Sequence, residues 1–302
     1  MKPKLPRWCG NPYLLLSLTA LFWSGNMVLG RGIRADVPPL ALAFWRWLIA
    51  FALVLPLALP HWRTQAPRLR QHLPALLLLG ALGIAAYNTF AYIALQTTTA
   101  THAVLLNAFI PIATVTLAWL FFKKPLRLRE GIGIAISLLG ALTLIARGDP
   151  SLLMALSLNT GDLWMLTAVL VWACYTLGLQ FRPPDMPPMF LLAVLIAIGL
   201  LLLAPFYLWE ILAGRHIALH AGSLLGLAYV GIFPSFIGYI FYNRGVAEVG
   251  AGRASQFIHL MPVFGTLLAA LFLDERPSLY HLLGIGLIFA GIALTTRQPA
   301  RP

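Results

Sequence analysis

Charge is scarce in this sequence, and acid is scarcer still. Of 302 residues only 10% are charged, with 9 Asp and Glu against 21 Lys and Arg. A soluble domain of ordinary composition carries about a quarter of its residues charged. This chain therefore cannot cover itself with solvated groups, and a soluble fold is excluded. Cysteine is nearly absent: Cys9 and Cys174 support neither a disulfide framework nor a metal-ligand spacing. The acids are also peripheral. Asp36, Glu130, Asp149, Asp162, Asp185, Glu210, Glu248, Asp274 and Glu275 all fall at or near the ends of apolar runs. An integral membrane enzyme acting on lipid or polyprenyl substrates would need clustered acids or a His/Asp pair near one interface. A proton-driven pump for lipophilic cations would need a buried acid that binds proton and drug in turn. No enzyme activity, cofactor or metal is expected. Nor is nucleic acid expected as a partner, because the cations form short clusters between apolar runs and no stripe on a polar face.

What is abundant is apolar length. Hydrophobic residues make up 60% of the chain, and a span needs about 20 of them in succession to cross the hydrocarbon core. Runs of that length begin near Pro12, Pro38, Leu73, Thr99, Leu128, Gly161, Pro187, Leu219, Gly250 and Leu279. None alternates as a membrane β-strand would. The expected fold is an all-α polytopic membrane protein of ten transmembrane helices. The basic N-terminal segment lacks a small-x-small cleavage site, so the first run is expected to be a retained span and no cleaved signal peptide. With the N-terminus cytoplasmic, fifteen Lys and Arg fall on the cytoplasmic side and five, Arg31, Arg34, Arg147, Arg215 and Arg276, on the other, with Arg46 inside a span. The positive-inside bias then puts both termini in the cytoplasm.

The chain also repeats itself. A shift of 151 residues aligns Phe90 with Phe241, Ala100 with Ala251, Pro111 with Pro262, Gly133 with Gly284 and Gly140 with Gly291. A slightly different offset sets Trp23 over Trp172 and Asn26 over Tyr175. Residues 1–147 and 148–302 are therefore read as two five-span repeats. Five is odd, so the second enters the membrane from the opposite side. That accounts for a motif whose charge reverses between copies: Lys123 and Lys124 in "FFKKPLRLREG" answer to Asp274 and Glu275 in "LFLDERPSLYHLLG". Inverted repeats of this kind enclose a substrate path at their interface near the midplane, here a central cavity.

Several stretches carry a family likeness: "ALFWSGNMVLGRGI", "LALAFWRWLIAFAL" and the Pro-centred "LLNAFIPIATVTLAWLFF" and "FIHLMPVFGTLLAALFLDERPSLYHLLGIGLIFAGIAL". Through them nearly the whole chain resembles the ten-span members of the drug/metabolite transporter superfamily built from two EamA-type halves. The first half departs from the family pattern at Lys124, where an acid is usual. Within that superfamily the chain looks most like bacterial exporters of aromatic amino acids and related metabolites. The resemblance implies a bacterial inner-membrane exporter of amino acids working by alternating access. A carrier of sugar phosphates or nucleotide sugars is the alternative. It would need several cations converging in the cavity, and only Arg46 is clearly intramembrane. A monomer is the working expectation for the oligomeric state.

The candidate substrate-binding residues follow from position and chemistry. Asn88 and Tyr92 are four apart on span three, and their repeat mates Tyr239 and Asn243 are four apart on span eight. Each pair shares a helix face and offers one amide and one phenol, suited to a zwitterion or to hydrogen bonds between helices. Trp23, Asn26, Trp172 and Tyr175 lie well inside spans one and six and provide stacking surfaces or packing. Arg46, between Trp45 and Trp47, attracts a carboxylate or stacks on its neighbours. Pro111 and Pro262 break spans four and nine as hinges, freeing the carbonyls of Asn107 and Ile258. The polar side chains of Asn107, Gln256 and His259 sit beside those breaks. Transport by facilitated export fits the missing deep acid, with His259 as a candidate for proton coupling. Small residues, Gly133, Ser137 and Ala141 on span five and Gly286 and Ala290 on span ten, predict close helix packing.

Overall fold

The computed structural model describes residues 11–154, 159–272 and 279–296. The Asp274–Glu275 pair, read as the charge-reversed counterpart of Lys123 and Lys124, lies outside the described residues. Every regular element among them is helical. Spans one, two, four and five are Pro12–Gly32, Pro39–Ala58, Ala100–Phe122 and Leu128–Ile145. Spans six, seven, eight and ten are Thr160–Phe181, Pro188–Leu212, Ala221–Val249 and Leu279–Thr296. Span three follows span two in a single 59-residue helical run, Pro39–Thr97, through the short turns Leu59–His61 and Ala66–His72. Span nine is assembled from Ala251–Gln256, Phe257–His259 and Leu260–Phe272. Among the described residues the ten helical segments begin within two residues of where the apolar runs place them.

The helix starts follow from local chemistry. Span one opens on Pro12 behind Asn11, whose Oδ1 accepts from the amides of Tyr13 at 3.0 Å and Leu14 at 3.4 Å. Span six opens on a reciprocal capping box between Asn159 and Asp162, which satisfies orphan amides at a buried helix end. Span two has Pro39 at its first position and no cap of its own. Its cap comes from span seven. Glu210, fully buried, accepts from the amides of Leu40 at 3.3 Å and Ala41 at 2.7 Å. A carboxylate there answers both the unpaired amides and the positive end of the helix dipole. Glu210→Ala is expected to destabilise the protein by about 1–2 kcal/mol, the cost of a lost cap, read as a lowered unfolding midpoint in detergent; an unchanged midpoint would remove the cap from this account.

Corresponding spans of the two halves pack antiparallel. On spans two and seven, Ala41 meets Glu210 and Phe44 stacks on Tyr207 at 4.8 Å. On spans four and nine, Ala108 meets His259 and Val115 meets Gly252. On spans five and ten, Gly133 meets Gly291 and Gly140 meets Gly284. In each pair, residue numbers rise along one span as they fall along the other, so the halves cross in opposite directions. Spans one and three pair crosswise, with eight and six. Some residues touch their own mates: Asn88 binds Tyr239 and Ala108 binds His259, both across 151 positions. Only residues beside the pseudo-twofold axis can do so.

The span five–ten contact corrects one expectation. Gly133 and Ser137 do face span ten, joined there by Gly140 and Leu144, but the receiving stripe is Gly284, Ile288, Gly291 and Thr295. Gly286 and Ala290 are exposed, and a Cβ at Gly286 would meet nothing within 4 Å. Four-residue spacing from Gly286 picks the lipid face. The seven-residue step from Gly284 to Gly291 follows the seam.

Candidate functional site

The middle of the molecule is built on Arg46. The side chain is 1% exposed on span two and reaches four acceptors from three other spans. Its Nε donates to Ser235 Oγ at 2.7 Å, and Nη1 donates to Asn88 Oδ1 at 2.7 Å, to Asn26 Oδ1 at 3.4 Å and to the Tyr92 hydroxyl. Tyr92 passes its own proton to Asn26 Oδ1 at 2.7 Å. Asn88 Nδ2 donates to the Tyr239 hydroxyl at 3.1 Å, and Tyr239 donates to the Gly83 carbonyl at 2.6 Å. The guanidinium also lies 5.3 Å from the Trp47 ring and 5.5 Å from the Tyr92 ring. Every partner is neutral. None of the ion pairs among the described residues involves Arg46.

Around this cation stands an aromatic cluster drawn from both halves. Trp23 and Trp172, repeat mates, meet edge to face at 4.9 Å. Tyr239 packs on Trp47 at 4.7 Å and on Trp172 at 5.5 Å, Tyr87 on Trp172 at 4.6 Å and Tyr242 on Trp23 at 5.0 Å. Edge-to-face and tilted pairs are the arrangements that ring quadrupoles favour. The repeat also appears in the polar bonds. In the first half the Tyr92 hydroxyl bonds Asn26 at 2.7 Å; in the second the Tyr175 hydroxyl bonds Asn243 at 2.8 Å, phenol and amide exchanging spans.

The structure thus gathers Trp23, Asn26, Arg46, Asn88, Tyr92, Trp172, Tyr175, Tyr239 and Asn243 into one centre. Asn107 joins at the edge, where Tyr87 donates to its Oδ1 at 3.5 Å; its Nδ2 has no partner among the described residues. Gln256 and His259 go elsewhere. His259 Nε2 lies 2.8 Å from the Ala108 carbonyl, which only accepts, so this nitrogen carries the proton. Nδ1 then faces Ser137 Oγ at 2.7 Å. Gln256 Nε2 donates to Ser137 Oγ at 3.2 Å, and Thr295 donates to Gln256 Oε1. This second network ties span nine to spans four, five and ten, and no hydrogen bond among the described residues joins it to Arg46. The carbonyl freed by the span-four break and engaged by a side chain is that of Ala108, one residue past Asn107. Pro111 lies in the first turn of the helix restarting at Ile110, and Pro262 near the start of the helix at Leu260.

Two acids expected only at span ends are fully enclosed. Glu210 is the cap described above. Asp162 accepts from the Thr98 hydroxyl and the Asn159 amide and lies 3.3 Å from His102 Nδ1. Sequence reasoning missed Ser235, Tyr87 and Tyr242. Tyr87, directly before Asn88, and Tyr242, directly before Asn243, had that adjacency as a signal; Ser235 had none, because only the packing of spans two and eight brings it to Arg46.

The central cavity expected from the repeat is closed here, because the rings of both halves interdigitate across it. Trp23, Trp47, Trp172, Tyr175 and Tyr239 are all buried. Clefts open instead toward the ends. One of about 330 Å³ lies among Lys124, Arg127, Glu130 and Arg253, with Gln256 and Thr295 on its lining. Another of about 240 Å³ lies at the opposite end among Val28, Thr101, Arg147 and Pro262.

Comparison with known proteins bears on the family and the fold. The model of the EamA-like transporter family matches twice, over residues 11–146 and 159–297. The uncharacterized transporter YdeK of Bacillus subtilis is 31% identical over 85% of this chain and 86% of its own length. YyaM of the same organism, also an uncharacterized transporter, is 25% identical over 93% and 92%. An uncharacterized transporter of Archaeoglobus fulgidus is 26% identical over 95% and 97%. A solved crystal structure superposes with a TM-score of 0.76 at 21% identity, covering 94% of this chain and 95% of that one; at that identity the likeness is one of fold.

Proposed function

The chain belongs to the EamA-like transporter family, and on that premise we propose that it exports amino acids, aromatic and other neutral ones, by alternating access. The observation that carries this reading is Arg46, a buried cation with no counter-charge among the described residues. A charged side chain at mid-membrane costs about 2.5–3.5 kcal/mol even on insertion scales and marks a substrate path by default. Amides, hydroxyls and ring faces satisfy its geometry but leave a full positive charge. One substrate carboxylate would neutralise it. The walls fit the rest of such a substrate: Trp23, Trp47, Trp172 and Tyr239 offer apolar ring faces, and Asn26 and Asn88 offer amides. A phosphate dianion or nucleotide sugar would find one cation where it needs several. Lys124, Arg127 and Arg253 line the end cleft and do not reach the centre.

In this reading the closed centre is an occluded state, and rocking one half against the other opens it to the end clefts in turn. The basic cleft is the cytoplasmic one, following the positive-inside bias, and substrate leaves through the other. Among the described residues no acid pairs with Arg46, and in this reading export runs down the substrate gradient. The test is counterflow in proteoliposomes: vesicles preloaded with L-phenylalanine should accumulate labelled phenylalanine with saturation, competed by leucine and not by glucose 6-phosphate. Flux that rises linearly with concentration, or none for any amino acid, would overturn the proposal.

A further inference from the structure

Spans three and eight both widen from α- to π-helix, and they do so at the same repeat position. The π segments are Gly80–Ala86 and Gly231–Ile237, seven residues each and 151 positions apart. In the first, the Tyr87 amide bonds the Leu82 carbonyl five residues back; in the second, the Gly238 amide bonds the Phe233 carbonyl. When a five-residue ladder returns to a four-residue ladder, one carbonyl is passed over, because its α-helical amide is already taken. That carbonyl is Gly83 in span three and Pro234 in span eight. A passed-over carbonyl at membrane depth needs another donor. Each has found an aromatic one: Tyr239 donates to Gly83 at 2.6 Å, and Trp23 Nε1 donates to Pro234 at 3.0 Å.

We propose that the Gly83 and Pro234 carbonyls form the ammonium-binding subsite of the transporter, held in the occluded state by the Tyr239 hydroxyl and the Trp23 indole as neutral stand-ins. This rests on the reading of Arg46 as the carboxylate site. Both carbonyls border that site. Ser235, next to Pro234, accepts from Arg46 Nε at 2.7 Å. Tyr239, on the Gly83 carbonyl, is one hydrogen bond from Asn88, which accepts from Arg46 Nη1 at 2.7 Å. The centre therefore holds a cationic donor and freed carbonyls within one hydrogen-bonded neighbourhood, the pattern that an α-amino acid, with carboxylate and ammonium on one carbon, complements. An ammonium donates three charge-assisted hydrogen bonds, each about twice as strong as those of the neutral stand-ins, so substrate displaces them.

The test measures binding of L-phenylalanine and of 3-phenylpropionate, the same molecule without its ammonium, to the purified full chain in nanodiscs. Wild type should bind 3-phenylpropionate about tenfold more weakly or worse, the value of hydrogen bonds to a charged group. Tyr239→Phe and Trp23→Phe each remove one stand-in donor and keep a ring. Each should raise the ratio of the two dissociation constants about threefold, the cost of displacing a neutral hydrogen bond. Damage to the fold or to Asn88 moves both ligands together and cancels in the ratio. A ratio unchanged or lowered in both variants, or equal affinities in wild type, overturns the ammonium subsite while the carboxylate reading stands. Failure of both ligands to bind overturns the carboxylate reading and this inference with it.

Discussion

Arg46→Lys is expected to weaken phenylalanine binding about a hundredfold while the protein still folds. The guanidinium works as a fork: Nε holds Ser235 while Nη1 holds Asn88 and Tyr92. A lysine ammonium is a single point and cannot reach span eight and span three together. The variant keeps the charge and loses the geometry that places a carboxylate. Two charge-assisted bonds lost to the substrate carboxylate, at about 1.5 kcal/mol each, correspond to about two decades in the dissociation constant. The charge itself contributes little to folding, since it has no acid partner to release. The unfolding midpoint of the apo protein should therefore move far less than binding. Binding retained in the lysine variant, or a collapse of stability equal to the loss of affinity, would make Arg46 a packing residue and remove the substrate from this site.

The largest effect on stability is expected at Gly291. A Cβ there would press on the Gly133 carbonyl and stand 2.6 Å from the Ser137 amide, and neither can yield because both are backbone inside a helix. Span five and span ten approach this closely along their length, since a Cβ at Gly284 would lie 2.9 Å from the Gly140 carbonyl. Gly291→Leu must push the spans apart and break the Ser137, Gln256 and Thr295 network beside them. Overpacking of this kind costs about 3 kcal/mol or more, enough to leave little folded protein on size-exclusion chromatography after mild heating in detergent. Gly286→Leu on the same span, with open space where its Cβ would go, is the control and should behave as wild type. Equal behaviour of the two variants would mean that the seam does not hold the halves together.

Much of the architecture was legible along the chain. Apolar length gave the crossings to within a residue or two, because a span must match the bilayer whatever it packs against. The matched prolines and glycines exposed the repeat, and an odd number of spans per half then required antiparallel partners. The faces holding Asn88 with Tyr92 and Tyr239 with Asn243 followed from helical periodicity. Trp23 and Trp172 were picked out as mates too deep for the interface. Three features were not legible. Gln256 and His259 share a polar stretch with a proline break, but which neighbour receives them depends on the rotation of span nine, and it turns them toward Ser137 and Thr295. Glu210 sits at a span end in sequence and is the cap of another half's helix in space. The π segments leave no composition signal, since glycine and proline there fit an ordinary kink equally well.

The sequence by itself determined that this is a ten-span membrane protein of two opposed halves and which residue types are too polar to face lipid, because both follow from hydration and length. Only the tertiary structure decided that Arg46 has neutral partners from both halves, that the rings close over it, and that two helical ladders slip by one residue to free a carbonyl in each half. Those outcomes depend on how two surfaces meet across an axis, and a linear order of residues does not specify the angle at which they meet.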